Sequence, residues 1–179
     1  MGKIIASEWM SLDGIYDAGM MDQWWIPYDS PERQQYIQEV IHDCDCMLYG
    51  RKTYEMLYPY WSALRNNEMG VAGKLNTVKK YVVSSTLKKA EWENSTIAGI
   101  EEIGGLKQAA GGNILITGSG TLVAALIRAR VLDELKLLVQ PHIMGGGLRF
   151  FTGDMHAALE LTASRSLDKG VMHLSYRVI

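Results

Sequence analysis

Three short segments of the chain combine glycine, hydroxyl and basic side chains in a way that suits phosphate binding. The first runs from Gly50 to Thr53 (Gly-Arg-Lys-Thr), the second from Ser84 to Thr86 (Ser-Ser-Thr) and the third from Gly118 to Thr121 (Gly-Ser-Gly-Thr). Glycine lets backbone N–H groups approach an anion, basic side chains neutralise its charge, and hydroxyl groups donate hydrogen bonds. One such segment alone can simply be a turn. Three together predict the binding of an extended dinucleotide with a phosphorylated ribose.

Candidates for proton transfer and for contact with a substrate lie nearer the N-terminus. Asp13 either fixes the Asp13-Gly14 turn or faces a substrate and accepts a hydrogen bond from a ring nitrogen. Glu32 either interacts with the positive end of a helix dipole or acts in catalysis. Trp24 and Trp25 either close the edge of the core or place one ring against a ligand.

The hydrophobic pattern places each phosphate segment at the end of a predicted strand. Strands that alternate with helices, followed by a hairpin around residues 168–170, predict an α/β fold whose mostly parallel sheet has helices on both faces. In such sheets ligands bind beyond the carboxyl ends of the parallel strands. We predict strands at residues 3–9, 44–49, 80–84, 113–117, 135–139, 158–167 and 171–178, and helices at 31–43, from 51, 71–78, 101–110 and 121–129.

Composition narrows the class of protein. The 179 residues, 47% of them hydrophobic and 21% charged, are enough for one domain with its own core. A net charge of −2 lacks the basic excess of a nucleic-acid-binding protein, and no apolar run approaches the length of a membrane helix. Cys44 and Cys46 are expected to be buried reduced thiols rather than a disulfide or metal site, which agrees with a cytoplasmic protein without a signal peptide.

The usual dinucleotide fingerprint is missing from the start of the chain. A Rossmann domain carries Gly-x-Gly-x-x-Gly after its first strand, whereas the glycine-rich segment here begins at Gly118. We therefore expect a different dinucleotide-binding fold.

The order of the motifs resembles the dihydrofolate-reductase superfamily, and more closely the branch related to the reductase half of the bifunctional riboflavin-biosynthesis deaminase–reductase. The resemblance covers nearly the whole chain. It implies a single domain over residues 1–179 with a three-layer α/β/α architecture, NADPH as cofactor, and a homodimer. The residues that carry it are Ser11-Leu12-Asp13-Gly14, Gly50-Arg51-Lys52-Thr53-Tyr54-Glu55, Val83-Ser84-Ser85, Gly118-Ser119-Gly120-Thr121-Leu122 and Val131-Leu132-Asp133-Glu134-Leu135.

The resemblance also assigns roles to individual residues. Ala6, at the end of the first strand, would lie near the nicotinamide carboxamide, and Trp25 would line the cleft shared by nicotinamide and substrate. Thr117 stands where the riboflavin reductases carry a glutamate before the paired glycines. The remaining cofactor contacts would be Gly50, Arg51, Lys52 and Thr53 for the 2′-phosphate side and pyrophosphate, Ser84 and Ser85 for the adenosine ribose phosphate, and Gly118, Ser119, Gly120, Thr121 and Leu122 for the pyrophosphate.

The implied activity is hydride transfer from NADPH to a C=N or C=O carbon of a small planar heterocycle. The substrate would be dihydrofolate or another pterin, or 5-amino-6-(5-phosphoribosylamino)uracil. The proton would come from Asp13, Asp29, Glu32 or ordered water. The alternative is a regulatory protein that binds NADP on the same fold without turnover.

Overall fold

Short apolar runs and amphipathic helices alternate along the chain and assemble into one sheet with helices on both sides. The structure is a computed structural model that describes residues 2–109, 111–153 and 155–179. The strands are β1 (Ile4–Ser11), β2 (Cys46–Gly50), β3 (Lys79–Val83), β4 (Ser95–Ala98), β5 (Ile114–Ile116), β6 (Glu134–Gln140), β7 (Leu159–Ser166) and β8 (Met172–Val178). The α-helices are α1 (Met21–Trp24), α2 (Pro31–His42), α3 (Arg51–Trp61), α4 (Ala72–Thr77), α5 (Ile103–Ala109) and α6 (Gly120–Arg128).

The eight strands lie in the order β4-β3-β2-β5-β1-β6-β8-β7. The first six in this order are parallel, and β8 pairs antiparallel with both β6 and β7. The prediction of a mostly parallel sheet with a C-terminal antiparallel hairpin is therefore confirmed. Because parallel strands end at one edge of the sheet, the segments that follow β1, β2, β3 and β5 meet there.

Side chains that alternate along β1 supply both cores, as expected for a central strand. Ile4 and Ala6 join the core under α5 and α6, where Leu122 and Leu126 also lie. Ile5 joins the core under α2, α3 and α4. The three layers predicted from the alternation of strands and helices are thus confirmed.

The pairing between β1 and β5 ends well before β1 does, because β5 is only three residues long. Their pairing covers only Ile4 to Ala6 on β1, opposite Ile114 to Ile116. On its other side, β1 stays paired with β6 as far as Ser11. Beyond Ala6, the second half of β1 therefore lies beside the turn that follows β5, and its residues from Ser7 to Ser11 are buried or half-buried.

Local signals located most elements well. Ser30 caps α2 as expected, since its hydroxyl accepts a hydrogen bond from the Arg33 N–H at 3.2 Å. The sequence pattern missed β4, because its Ser-Thr-Ile-Ala segment is half exposed and lacks an apolar run. The segment expected to be an irregular loop, residues 15–30, contains α1 and two short 3-10 turns.

Two expectations drawn from composition concern the two cysteines and the length of the helices. Cys44 and Cys46 are free and buried, and burial raises the pKa of each thiol to about 11, as expected for inert reduced cysteines. Within the described ranges, no helix combines the length and the apolar character needed to cross a bilayer.

Candidate functional site

Two of the phosphate-type segments are in direct contact. β2 pairs with β5, so the junctions that follow them, β2 to α3 and β5 to α6, are neighbours. A Cβ atom added to Gly50 would lie 2.5 Å from the Ser119 Oγ, and one added to Gly118 would lie 3.0 Å from the Thr53 Cγ2. Such distances leave no room for a side chain at either glycine. We call the surface formed by Gly50, Thr53, Gly118, Ser119 and Gly120 the strand-end cradle.

The turn that begins the third segment holds a strained backbone. Gly118 has φ +80° and Ser119 has φ +85°, in the left-handed region. This conformation costs a non-glycine residue about 1–2 kcal/mol. The Ser119 hydroxyl in turn accepts a hydrogen bond from the Leu122 N–H at 3.3 Å and caps α6. Strain of this kind is typical of ligand-binding turns.

Tyr16 closes the cradle from the side of β1. Its hydroxyl accepts a hydrogen bond from the Gly120 N–H. A Cβ added to Gly120 would lie 2.9 Å from this hydroxyl oxygen, so the third glycine is also required by a close approach.

Positive charge lies on the first turn of α3. Arg51 and Lys52 are exposed there, and the Arg51 Nε lies 3.9 Å from a Glu55 carboxylate oxygen. The N-termini of α3 and α6 open at the same edge of the sheet and add their helix dipoles. The cradle and the neighbouring first turn of α3 therefore combine cations, hydroxyl groups and two helix N-termini, which is the donor set that phosphate oxygens require.

The second segment lies at the same edge of the sheet. Gly50 pairs with Val83, so Ser84 and Ser85 follow at the level of the cradle. The Ser84 hydroxyl accepts hydrogen bonds from the N–H groups of Thr86 and Leu87, at 3.1 and 2.9 Å. It therefore fixes its own turn, whereas Ser85 is exposed.

Two residues assigned to the cofactor occupy other positions. Ala6 lies in the middle of β1 rather than at its end, because the strand continues to Ser11, and it is fully buried in the core under α6. Leu122 packs into the same core and its N–H is used by Ser119. The side chains of both residues are therefore used in the core, and the expected positions of Ala6 near the nicotinamide carboxamide and of Leu122 at the pyrophosphate stay predictions. Thr117 is half-buried at the end of β5, and Thr121 is exposed on the first turn of α6.

Sequence reasoning missed Glu8, which lies beside the cradle. Its side chain is 3% exposed, and its two carboxyl oxygens lie 3.1 and 3.2 Å from the Gly118 N–H that donates to them. Burial raises the pKa of this carboxyl to about 8, against a smaller opposing effect of the Gly118 hydrogen bond. A glutamate inside the apolar run of a central strand was the available signal.

Trp24 and Trp25, in the segment between β1 and α2, pack against side chains of those two elements. Trp25 stacks on Trp9 with ring centroids 4.1 Å apart, and the Arg33 guanidinium carbon lies 3.7 Å from the centroid of the Trp25 ring. Arg33 also donates to the Trp25 carbonyl at 2.7 Å and to Asp29 at 2.9 Å. Trp25 is 9% exposed and its ring contacts Trp9 and Arg33, while its expected place beside the nicotinamide–substrate cleft stays a prediction. We call Trp9, Trp24, Trp25 and Arg33 the tryptophan cluster.

Asp13 holds a loop in place. Its carboxylate accepts hydrogen bonds from the Ser11 hydroxyl at 2.6 Å and from the N–H groups of Met144 and Gly145 at 3.0 and 2.8 Å. These donors, the Ser11 hydroxyl most of all, hold its pKa well below the usual range. The structure therefore places Asp13 in the turn-fixing role, as an ionised group.

The other two candidate acids are also engaged. Glu32 accepts a hydrogen bond from the Asp168 N–H at 2.8 Å and pairs with Arg165, which ties the start of α2 to the C-terminal hairpin. Asp29 binds Gln34 and Arg33, which lower its pKa. Neither side chain is brought to the cradle by these contacts.

Comparison with known proteins gives two sequence matches. A family model described as RibD C-terminal domain matches residues 2–173. The protein YyaP of Bacillus subtilis (strain 168), described as uncharacterized, is 25% identical over 183 residues, which cover 97% of this chain and 94% of YyaP.

Solved structures show the same fold at low sequence identity. A pyrimidine reductase-like protein from Corynebacterium diphtheriae has a TM-score of 0.70 at 13% identity, with 99% of this chain and 92% of that chain covered. The riboflavin biosynthesis reductase Rib7 of Saccharomyces cerevisiae has a TM-score of 0.63 at 15% identity, covering 99% and 90%. Dihydrofolate reductase from Enterococcus faecalis, solved with NADP(H), has a TM-score of 0.65 at 19% identity, covering 99% and 96%.

Proposed function

The chain belongs to the RibD C-terminal domain family, and on that premise we propose that it is an NADPH-dependent reductase acting on a small planar heterocycle. The observation that carries the proposal is the strand-end cradle, where Gly50 and Thr53 meet Gly118 and Ser119. Reductases among the structural neighbours, one of them solved with NADP(H), support the same class of activity.

The donor set of the cradle suits the phosphate groups of NADPH. Arg51 and Lys52 would bind the 2′-phosphate, because they are the exposed cations on the first turn of α3. Thr53, Ser119 and Thr121, with the N-terminus of α6, would hold the pyrophosphate. Ser84 and Ser85, one strand further along the same edge, would lie towards the adenosine ribose. NADPH supplies the hydride, and the protein binds and orients it.

We assign the proton of the reduction to water that enters the cleft. Asp13 and Asp29 are held ionised by their hydrogen-bond donors, and Glu32 is engaged with Arg165 and the Asp168 N–H. An ionised carboxylate with its acceptor positions used is a poor proton donor. We place the nicotinamide and a flat substrate ring beyond the carboxyl ends of the parallel strands, next to the cradle.

The proposed substrate class is supported by the reductases among the structural neighbours. They include a pyrimidine reductase-like protein, a riboflavin biosynthesis reductase and a dihydrofolate reductase. We therefore propose a pyrimidinone such as 5-amino-6-(5-phosphoribosylamino)uracil, or a pterin, as the compound that is reduced.

We also propose that the protein is a homodimer. Leu159, Leu161 and Met172 are exposed apolar residues on the two antiparallel strands at one edge of the sheet. A second copy covering this edge would remove them from water. Sedimentation velocity tests this, and a monomer at micromolar concentration would contradict it.

Binding of NADPH and NADH, followed by nicotinamide fluorescence, tests the proposed cofactor. We expect NADPH to bind more tightly, and Arg51→Ala to raise the Kd for NADPH by roughly 10- to 100-fold, because a charge-assisted hydrogen bond to phosphate contributes about 1.5–3 kcal/mol. The Kd for NADH should change little, since NADH lacks the 2′-phosphate.

Arg165→Ala is the matched control. It removes an exposed arginine from β7, which is the outermost strand on the side of the sheet away from β2 and β3. Equal losses of NADPH and NADH affinity in Arg51→Ala would refute the 2′-phosphate assignment. If neither nucleotide binds the wild-type protein, the proposed function is wrong.

Turnover is tested by absorbance, as oxidation of NADPH in the presence of pterins and pyrimidinones. Substrate-dependent oxidation supports the reductase. Tight NADPH binding without oxidation across the panel would favour the alternative, a protein that binds NADP and regulates.

A further inference from the structure

Glu8 is a buried acid in a place where no packing argument requires one. It alternates along β1 with Ala6 and Met10, which belong to the core under α6, and its register partner on β6 is Leu137. It lies two positions beyond Ala6, the last residue of β1 that pairs with β5, and beside the turn that follows β5. Its described hydrogen-bond donor is the Gly118 N–H of the cradle.

The elements packed around Glu8 offer no compensating charge. Tyr16, from the turn after β1, is the titratable group that faces it, and the nearby Glu8 carboxyl adds to the effect of burial in raising the Tyr16 pKa. The other described neighbours of Glu8 are Leu137, its register partner on β6, and Gly118, whose N–H donates to it, and neither carries a charge. Among the described residues, no cationic side chain forms an ion pair with Glu8.

A carboxylate in these surroundings is disfavoured by desolvation, and one hydrogen bond offsets only part of that cost. The uncharged acid is therefore the form that the buried site prefers at neutral pH, in agreement with a pKa of about 8. The charge of Glu8 can change within the range of pH in which the protein is handled.

The position of this acid matters because the cradle next to it has the donors for an anion. A carboxylate at Glu8 would place negative charge on the inner side of the Gly118–Gly120 turn, whose outer side faces the phosphate edge of the sheet. Like charges in a poorly hydrated site repel strongly. The uncharged acid keeps the same hydrogen bond to the Gly118 N–H without the repulsion.

Resting on the proposed NADPH site, we propose that Glu8 is a positioning residue that couples dinucleotide binding to its own protonation. The uncharged acid supports the Gly118–Gly120 turn, which binds the pyrophosphate. The carboxylate opposes binding because it repels the pyrophosphate. Binding of the dinucleotide above neutral pH therefore takes up a proton at Glu8.

The pH dependence of NADPH binding tests the coupling. Above pH 7 the 2′-phosphate is already ionised, so its titration does not interfere. We expect the Kd of the wild-type protein to be constant up to about pH 8 and then to rise towards tenfold per pH unit, as linkage to one proton requires. Glu8→Gln, which mimics the uncharged acid, should bind NADPH with a Kd independent of pH over the same range.

Controls separate this effect from a structural one. Glu102→Gln changes an exposed glutamate and should keep the wild-type pH profile. Glu8→Asp retains a titrating carboxyl and should restore a pH-dependent Kd that Glu8→Gln lacks. A merely structural role of Glu8 would change the Kd without removing its dependence on pH.

Calorimetry gives a second test, which measures proton uptake directly in the wild-type protein. NADPH titrations near pH 8.5 in two buffers of different ionisation enthalpy should reveal net uptake of a proton fraction, which disappears in Glu8→Gln. If NADPH binds without proton uptake, or if Glu8→Gln keeps the wild-type pH profile, the coupling is wrong while the reductase proposal stands. If NADPH does not bind at any pH, both are wrong.

Discussion

The strand-end cradle and the tryptophan cluster differ in what satisfies their polar and charged groups. In the cluster, the Arg33 guanidinium contacts the Trp25 ring, the Trp25 carbonyl and Asp29. In the cradle, Ser119 has a left-handed backbone, and beside it Glu8 is buried with no cationic partner among the residues that the structure describes. The cluster therefore stabilises the fold, whereas the cradle costs stability.

This difference indicates where function lies more reliably than residue type does. Tryptophans in a loop and acids near a first helix suggested a substrate wall and a proton donor, yet their partners are other parts of the same chain. Backbone strain and a buried acid with a shifted pKa that persist in a folded protein are typical of binding sites, because the surrounding structure must maintain them.

The largest expected effect is the dependence of stability on the charge of Glu8. Its pKa is about 8 in the folded protein against an ordinary value of 4.5, so the folded state binds more protons than the unfolded state between these values. The free energy of unfolding should therefore fall as pH rises from 4.5 to 8, by about 5 kcal/mol at 1.36 kcal/mol per pKa unit. Urea unfolding against pH measures it, and Glu8→Gln should remove most of the slope. An equal slope in both proteins would show that Glu8 does not carry this cost.

Trp25→Ala tests the opposite region. Loss of a ring that lies between Trp9 and Arg33 should lower the free energy of unfolding by about 3–5 kcal/mol. The NADPH Kd of the folded protein should change less than threefold. Tyr60→Ala, at an aromatic side chain that is half exposed, is the control and should change stability little. A large rise in Kd without loss of stability would place Trp25 in the ligand site after all.

Gly118→Ala should affect both properties. An alanine at φ +80° costs about 1–2 kcal/mol, and its Cβ would also press on Thr53. We expect the NADPH Kd to rise at least tenfold.

Gly145→Ala is the matched control, because Gly145 has φ +73° but no atom near an added Cβ. It should cost similar stability and leave the Kd unchanged. If both variants lower NADPH affinity equally, the loss cannot be assigned to the cradle.

The smallest expected effect is that of Arg165→Ala. Its ion pair with Glu32 is partly exposed, and such pairs contribute about 0–1 kcal/mol. Thermal unfolding should shift by a few degrees at most, with normal NADPH binding. A large loss of NADPH affinity or turnover would return Glu32 to the list of catalytic candidates.

Local signals were enough for much of the fold and for half of the candidate site. Ser30 and Pro31 mark the start of α2, and the Asp168-Lys169-Gly170 turn marks the final hairpin, because caps and turns depend on adjacent residues. Gly50 and Gly118 were identified because a glycine after an apolar strand is visible in the chain itself.

Which side chains are free to act was decided by the tertiary structure. Asp13 meets Met144 and Gly145 more than 130 residues away, and Trp25 meets Trp9 and Arg33, so their partners could not be read from neighbouring positions. The burial of Glu8 beside the turn after β5 could be recognised only from the sheet, in which β1 is central and extends beyond its pairing with β5. The sequence by itself determined most of the strands and helices and the phosphate-type turns, because these depend on local chemistry. Only the tertiary structure decided burial and pairing, which set the charge and availability of each group.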